Sequence, residues 1–78
     1  MPPELKIRYQ QLQQDADFAL VKAREANAAL KQAYARYLAN QGPAPAQKDI
    51  DALAAIEEDA TKKYRALRDF LRDAFGIN

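Results

Sequence analysis

Apolar and small side chains recur at alternating spacings of four and three residues along the first half of the chain. They form one unbroken series: Leu5, Tyr9, Leu12, Ala16, Ala19, Ala23, Ala26, Leu30, Ala33 and Tyr37. This spacing places all of them on one face of an α-helix, as in the heptad seam of helices that pack against other helices. The feature therefore restricts the chain to folds in which this face is buried against a second helix.

A second seam follows a short segment that contains proline and glycine. Its members are Ile50, Leu53, Glu57, Ala60, Tyr64, Leu67, Leu71 and Ala74. Helices joined by a short connection are usually antiparallel neighbours. The sequence thus predicts an all-α fold for residues 1–78 as a single domain: an antiparallel two-helix hairpin with coiled-coil-like packing.

The N-terminus and the connection give the limits of helix 1. Pro3 and Glu4 suit a first helical turn, so helix 1 is predicted from about residue 3 to about residue 40. Gly42 is expected to supply a left-handed cap and Pro43 to prevent continuation. An alternative start at Asp15 or Asp17 would leave the preceding residues frayed.

Residues 41–47 are the predicted loop, and helix 2 is predicted from about residue 47 to about residue 75. Gly76 followed by Ile77 matches a left-handed cap with an apolar residue folding back. For the pairing of the helices, Tyr37 is placed near Leu53. The same register sets small residues of helix 1 opposite large ones of helix 2, with Ala26 near Tyr64, Ala23 near Leu67 and Ala19 near Leu71.

The length of the chain and the width of the second seam favour self-association. A chain of 78 residues buries a modest core, and without cysteine or histidine it has neither disulfides nor the usual zinc sites for support. Ile56, Phe70 and Ile77 widen the apolar stripe of helix 2 beyond what one neighbour covers. We therefore expect a homodimer, most simply a four-helix bundle.

Glu57 is the one charged residue at a seam position, and two interpretations are open. In the first, the side chain of Ile56 points into the core and Glu57 lies at the edge of the helix contact. In the second, Glu57 is a polar seam residue that fixes the register or the oligomeric state.

The inventory of reactive side chains argues against an enzyme. The chain has no Ser, Cys, His or Trp, and Thr61 is the only aliphatic hydroxyl. Nucleophile–base pairs of the Ser–His or Cys–His kind are therefore excluded. The close carboxylate pairs lie one or two residues apart on a helix and do not face each other. We expect no catalytic residues, no metal and no cofactor.

The charges are almost balanced, with 12 basic and 11 acidic side chains and a net charge of +1. Arg65, Arg68 and Arg72 form a stripe on helix 2 that could receive phosphate or an acidic partner. Asp69 and Asp73 interleave with this stripe, and arginines near a helix C-terminus also complement its dipole. Both interpretations remain open at this stage.

Two sets of apolar residues are predicted to bind partners. Phe18 and Val21 lie roughly opposite the main seam, and Ala28, Ala35 and Leu38 continue this stripe weakly; exposed stripes of this kind usually mark contact surfaces. Helix 1 is also predicted to be about 14 Å longer than helix 2 at ~1.5 Å per residue. The excess would leave an N-terminal arm without an intramolecular partner, comprising Leu5, Ile7, Tyr9 and Leu12.

These features predict a non-enzymatic protein-binding module, a small cytoplasmic adaptor, chaperone-like or regulatory protein that acts through helix–helix contacts. No segment suits a membrane span or a signal peptide, and the Ala- and Arg-rich usage is typical of bacterial or phage proteins. The alternatives are a structural assembly subunit and an RNA- or DNA-binding hairpin dimer that uses Arg24, Arg36, Arg65, Arg68 and Arg72. In architecture alone, such a hairpin is similar to secretion-system co-chaperones and to an RNA-binding plasmid copy-number regulator.

Overall fold

Two long α-helices make up the fold in a computed structural model that describes residues 2–76. Helix α1 spans Pro3–Leu38 and helix α2 spans Gln47–Phe75, and the described chain contains no strand. The two helices pack against each other as a hairpin. The all-helical hairpin predicted from the two seams is confirmed, whereas the alternative start of helix 1 at Asp15 or Asp17 is wrong.

Proline and charged residues explain where the helices begin. Pro3 occupies the first turn of α1, where a missing N–H costs no hydrogen bond, and Glu4 faces the positive end of the helix dipole. In α2, Asp49 lies in the first turn and Arg72 in the last, which is the polarity that the dipole favours. Both predicted helix starts are confirmed.

The connection between the helices begins with a Schellman motif around Asn40. The backbone N–H of Gln41 donates to the carbonyl of Arg36 (2.8 Å) and that of Asn40 to the carbonyl of Tyr37 (3.1 Å). Asn40 supplies the left-handed conformation, with φ of 59°. Helix α1 therefore ends two residues earlier than predicted, and the expected left-handed cap at Gly42 is wrong because Asn40 already provides it.

Replacing Asn40 tests this cap. Asn40→Gly is expected to raise the free energy of unfolding by roughly 0.5 kcal/mol, because glycine adopts positive φ without the Cβ penalty. Asn40→Ala is expected to lower it by about 1 kcal/mol. Urea denaturation followed by circular dichroism measures both. An equal effect of Ala and Gly would contradict the assignment of the cap to Asn40.

The C-terminal end of α2 is capped as the sequence predicts. Gly76 has φ of 67°, and its N–H donates to the carbonyls of Arg72 and Leu71. The predicted folding back of Ile77 lies outside the described residues. The same holds for the contribution of Ile77 to the apolar stripe of α2.

The core is small and consists mainly of alanine. In the part of the chain that the structure describes, six residues are buried: Ala16, Ala19, Ala23, Leu53, Ala60 and Leu67. Ala19, Ala23 and Ala60 form one cluster, against which the half-buried Ile56 packs. No large side chain of residues 2–76 is fully buried. The helices thus meet closely at small side chains and leave most large ones only partly covered.

The packing of Ile56 decides between the two interpretations of its neighbour. Ile56 contacts the alanine cluster, and Glu57 is exposed at the edge of the helix contact. Ile56 taking the core direction is therefore confirmed.

The predicted register is wrong by about one heptad. Tyr64, which was expected near Ala26, instead donates a hydrogen bond to Asp17, nine residues or about 13 Å earlier on α1. Ala19 and Ala23 meet Ala60 rather than Leu71 and Leu67. Small residues consequently face small residues in the middle of the hairpin, and Tyr37 is exposed because it lies beyond the start of α2.

This register also removes the predicted N-terminal arm. The hairpin is 57 Å long, close to the ~54 Å that the 36 residues of α1 measure by themselves. The C-terminal part of α2 therefore lies beside the first turns of α1, where Leu5, Tyr9 and Leu12 are half-buried. The excess length of α1 is divided between its two ends, so the arm without an intramolecular partner is wrong.

Candidate functional site

Two grooves run along the contact between the helices, on opposite sides of the hairpin. Leu20 lines one groove and Ala29 the other, and nine residues at ~100° each place them half a turn apart on α1. Thr61 and Ala52 stand in the same relation on α2. A hairpin of two helices leaves both of these sides open.

The first, called here the alanine groove, has a volume of about 320 Å³. It is lined by Ala26, Ala29, Leu30, Ala33, Pro45, Asp49, Ala52, Leu53 and Ile56. Of these residues only Asp49 is charged, and it lies near the loop. The small alanine side chains give the groove a shallow apolar floor onto which another helix can pack closely.

The second, called here the arginine groove, has a volume of about 380 Å³. Its floor is apolar and its edge is charged; the lining residues are Leu20, Ala23, Glu57, Ala60, Thr61, Tyr64, Arg65 and Arg68. The Thr61 hydroxyl donates to the Glu57 carbonyl (3.0 Å), so its hydrogen-bonding capacity as a donor is used within α2.

Tyr64 connects the two helices at the edge of the arginine groove. Its hydroxyl donates to Asp17 Oδ1 (2.9 Å), which also accepts a hydrogen bond from Gln13 Nε2 (3.0 Å). The hydrogen bond to Asp17 is the main reason why the pKa of the Tyr64 hydroxyl is raised above its ordinary value of 10.0. Removal from water and the charge of Asp17 act in the same direction, and Arg24 opposes them.

The raised pKa of Tyr64 predicts how stability changes in alkali. The folded state holds the Tyr64 proton more tightly than the unfolded state, so this contribution is complete below pH 10 and is lost as pH rises through the folded pKa. Asp17→Asn is expected to reduce this loss, because it removes the charged acceptor. Urea midpoints between pH 9 and pH 12 measure it. Identical pH profiles for the two proteins would contradict the role of Asp17.

Charge pairing separates the arginines of α2 into two groups. Arg72 pairs with Asp69 (3.3 Å) and Asp73 (3.4 Å). No salt bridge within residues 2–76 involves Arg65, Arg68 or Glu57. The predicted stripe is therefore divided: two arginines line the groove, and Arg72 is bound to neighbouring carboxylates.

The apolar residues predicted to bind a partner are not all on one surface. Ile7, Phe18 and Val21 are exposed on the side of α1 that faces away from α2. The Lys22 ammonium lies 5.0 Å from the centre of the Phe18 ring. Leu38 is 78% exposed, but twenty residues at ~100° each place it roughly 160° around the helix from Phe18. The stripe thus does not extend to Leu38.

The remaining predicted contact residues belong to the hairpin itself. Leu5, Tyr9 and Leu12 are half-buried, and Tyr9 donates a hydrogen bond to Gln13 (3.3 Å). Near the other end of the chain, Phe70 and Phe75 pack edge to face at 5.8 Å and are also half-buried. A role of Leu5, Tyr9 and Leu12 in partner binding stays a prediction.

Sequence reasoning singled out Arg65 and Arg68 of the arginine groove, but it did not identify the smaller residues that line the two grooves. Ala29 and Ala52 flank the seams and look like ordinary exposed helix residues, while Leu20 and Thr61 lie one position beyond seam members. Only the register shows that these residues meet across the helix contact. On each helix, the residues that line the two grooves are nine positions apart, which places them on opposite sides of the helix. This spacing is the one signal of the grooves in the sequence.

Among residues 2–76, no three carboxylates lie close enough together to hold a metal ion. Neither α1 nor α2 has a stretch apolar and long enough to cross a bilayer.

Comparison with known protein families, with curated proteins and with solved structures gives no significant match to this chain.

Proposed function

We propose that this protein is a non-enzymatic protein-binding module of the cytoplasm, which forms a homodimeric four-helix bundle and binds another protein through helix–helix contacts. The observation that carries the proposal is the imbalance between buried and open surface. Within residues 2–76 only six side chains are buried, four of them alanine, whereas two grooves of several hundred Å³ remain open.

The exposed area supports association. The chain exposes 5965 Å², whereas a compact protein of 8.8 kDa exposes roughly 4800 Å². The difference exceeds the ~800 Å² that each partner contributes to a standard protein–protein interface. Packing of further helices onto the hairpin would remove this excess and enlarge a core that is small for a domain.

The alanine groove is the proposed site for the other protein. Its lining calls for an amphipathic helix whose large apolar side chains fill the space above Ala29, Ala33 and Ala52. Asp49 is the one charged residue among those lining it, so a lysine or arginine of the partner is expected at the loop end. The expected partner is therefore an amphipathic helix with a basic residue at the end that lies near the loop.

A photo-crosslinking experiment tests the proposal. A benzophenone amino acid is placed at Ala29, in the alanine groove, and at Gln32, which is exposed on the outer side of α1. We expect a cross-link to one other protein from position 29 and none from position 32. The captured protein is then purified, and Ala29→Arg is expected to weaken its binding at least ~10-fold, since the charge would be buried.

Two results would contradict this function. The first is equal cross-linking from Ala29 and Gln32, which would show that the groove has no preferred partner. The second is unchanged binding of the purified partner by Ala29→Arg. Gln32→Arg serves as the matched control, because it adds the same charge on the outer surface of the same helix.

A second candidate function, binding of RNA or DNA, is favoured by Arg65 and Arg68 at one groove without a salt bridge in the described chain. Glu57 lines the same groove and Asp17 lies beside it, so a phosphate backbone would also meet carboxylates. Binding of a generic duplex at 50 and 200 mM salt distinguishes the two functions. A steep loss of affinity with salt would support nucleic-acid binding, and absence of binding at 50 mM would remove it.

A further inference from the structure

We propose that a second copy of this chain docks on the arginine groove, with α2 antiparallel to α2 of the second copy and the two-fold axis passing beside Thr61 and Leu20. This inference deepens the proposed self-association by assigning its surface and geometry. It leaves the alanine groove free for the other protein.

Charged residues lie at equal distances before and after Thr61 along the edge of α2 that borders the arginine groove, and their signs are opposite. Glu57 lies four residues before Thr61 and Arg65 four residues after it, and all three line the arginine groove. Arg68 follows Thr61 by seven residues, and the small residue Ala54 precedes it by seven. The first half of this edge is thus acidic or small, and the second half is basic.

A two-fold axis converts this arrangement into complementary contacts. In an isologous interface each contact occurs twice, because the same surface is used by both copies. If the antiparallel α2 helices cross at Thr61, Glu57 lies opposite Arg65 of the second copy, and Arg68 lies over Ala54 of the second copy. Glu57 and Arg65 have no salt bridge within residues 2–76, so the dimer supplies a partner for each of them.

Helix α1 has the same property at the same level of the hairpin. Asp17 lies three residues before Leu20 and Arg24 four residues after it. Leu20 lines the groove together with Thr61, so the centres of symmetry on the two helices coincide. Both hydrogen bonds to Asp17 end on Oδ1, which leaves Oδ2 for Arg24 of the second copy.

The residues at the centre are suited to a close helix crossing. Thr61 has its hydroxyl hydrogen-bonded to its own helix, so it enters an interface without losing a donor. Leu20, Ala23 and Ala60 provide the apolar floor beneath it. The interface therefore has an apolar centre with charge pairs at its rim, which is the usual anatomy of a specific protein–protein contact.

Charge reversal tests the geometry. Glu57→Arg and Arg65→Glu each place two like-charged pairs in the dimer, and each is expected to raise the dimer dissociation constant at least ~10-fold. The double variant Glu57→Arg/Arg65→Glu exchanges the charges and is expected to restore it. Glu25→Arg, an exposed reversal on the outer side of α1, is the matched control. Sedimentation equilibrium measures the wild type and all four variants, and circular dichroism confirms that they are helical.

Disulfide trapping gives an independent reading, because the natural chain has no cysteine. Thr61→Cys is expected to form a covalent dimer under mild oxidation, since position 61 meets itself at the two-fold axis. Ala29→Cys in the alanine groove and Val21→Cys on the outer side are expected to remain monomeric on denaturing gels.

The outcomes separate this inference from the proposed function. A dimer that is indifferent to both reversals, or that is trapped from Ala29→Cys but not from Thr61→Cys, would overturn the arginine groove as its interface and leave self-association standing. A dimer that dissociates on nuclease treatment would also overturn it. A monomer at all concentrations would overturn the self-association as well.

Discussion

Ala19→Leu is expected to lower the free energy of unfolding by about 1–3 kcal/mol, because the added methylene groups cannot fit where the two helices meet. Ala19 is 1% exposed and packs with Ala23 and Ala60 in the contact between the helices. Separating the helices there would also uncover Ile56. Urea denaturation at one fixed protein concentration measures the effect, since association contributes to apparent stability.

Ala26→Leu is the matched control for this substitution. Ala26 is half-buried and lines the alanine groove, where open space can accept a larger side chain. Its effect on the free energy of unfolding is expected to stay within about 0.5 kcal/mol. Had Ala26 faced Tyr64, as the sequence predicted, this variant would be as damaging as Ala19→Leu. A larger loss for Ala26→Leu than for Ala19→Leu would therefore contradict the register described here.

Leu67→Ala is expected to cost about 2–3 kcal/mol in the free energy of unfolding. Leu67 is 6% exposed and is one of only two leucines among the buried residues of the described chain. Truncation removes apolar contacts and leaves space that two rigid helices fill only in part. Thermal unfolding followed by circular dichroism checks this. Leu38→Ala, at a position that is 78% exposed, should leave the unfolding transition nearly unchanged. Equal effects of the two truncations would contradict the assignment of the core.

The sequence predicted the helices well because their limits depend on local chemistry. Proline at residue 3 and the left-handed glycine at residue 76 act within one turn of themselves, and both are confirmed. The end of α1 was predicted less well, since Asn40 and Gly42 are both able to adopt positive φ. Only the backbone hydrogen bonds show that Asn40 is the residue that does so.

The register was wrong for a reason inherent in the heptad pattern. A shift of seven residues moves every seam position onto another seam position, so apolar faces oppose apolar faces in either register. The choice depends on the conformation of the loop and on particular contacts, such as the hydrogen bond from Tyr64 to Asp17. The predicted arm at Leu5 and Tyr9 was wrong because it depended on the same register.

The two grooves could not be predicted, because each is composed of residues from both helices. Alanines such as Ala29 and Ala52 carry little information in the sequence, yet they give one groove its shallow floor. The relation of Glu57 and Arg65 is readable in the sequence as an eight-residue spacing. Its significance appears only once Thr61 and Leu20 are known to line the same groove.

The mass of the protein in solution shows whether the hairpin packs against a second copy of itself. Light scattering coupled to size-exclusion chromatography, from 1 to 100 μM, is expected to give twice the chain mass of 8.8 kDa at the upper end of this range. A single species of 8.8 kDa throughout, fully helical by circular dichroism, would contradict the proposed self-association.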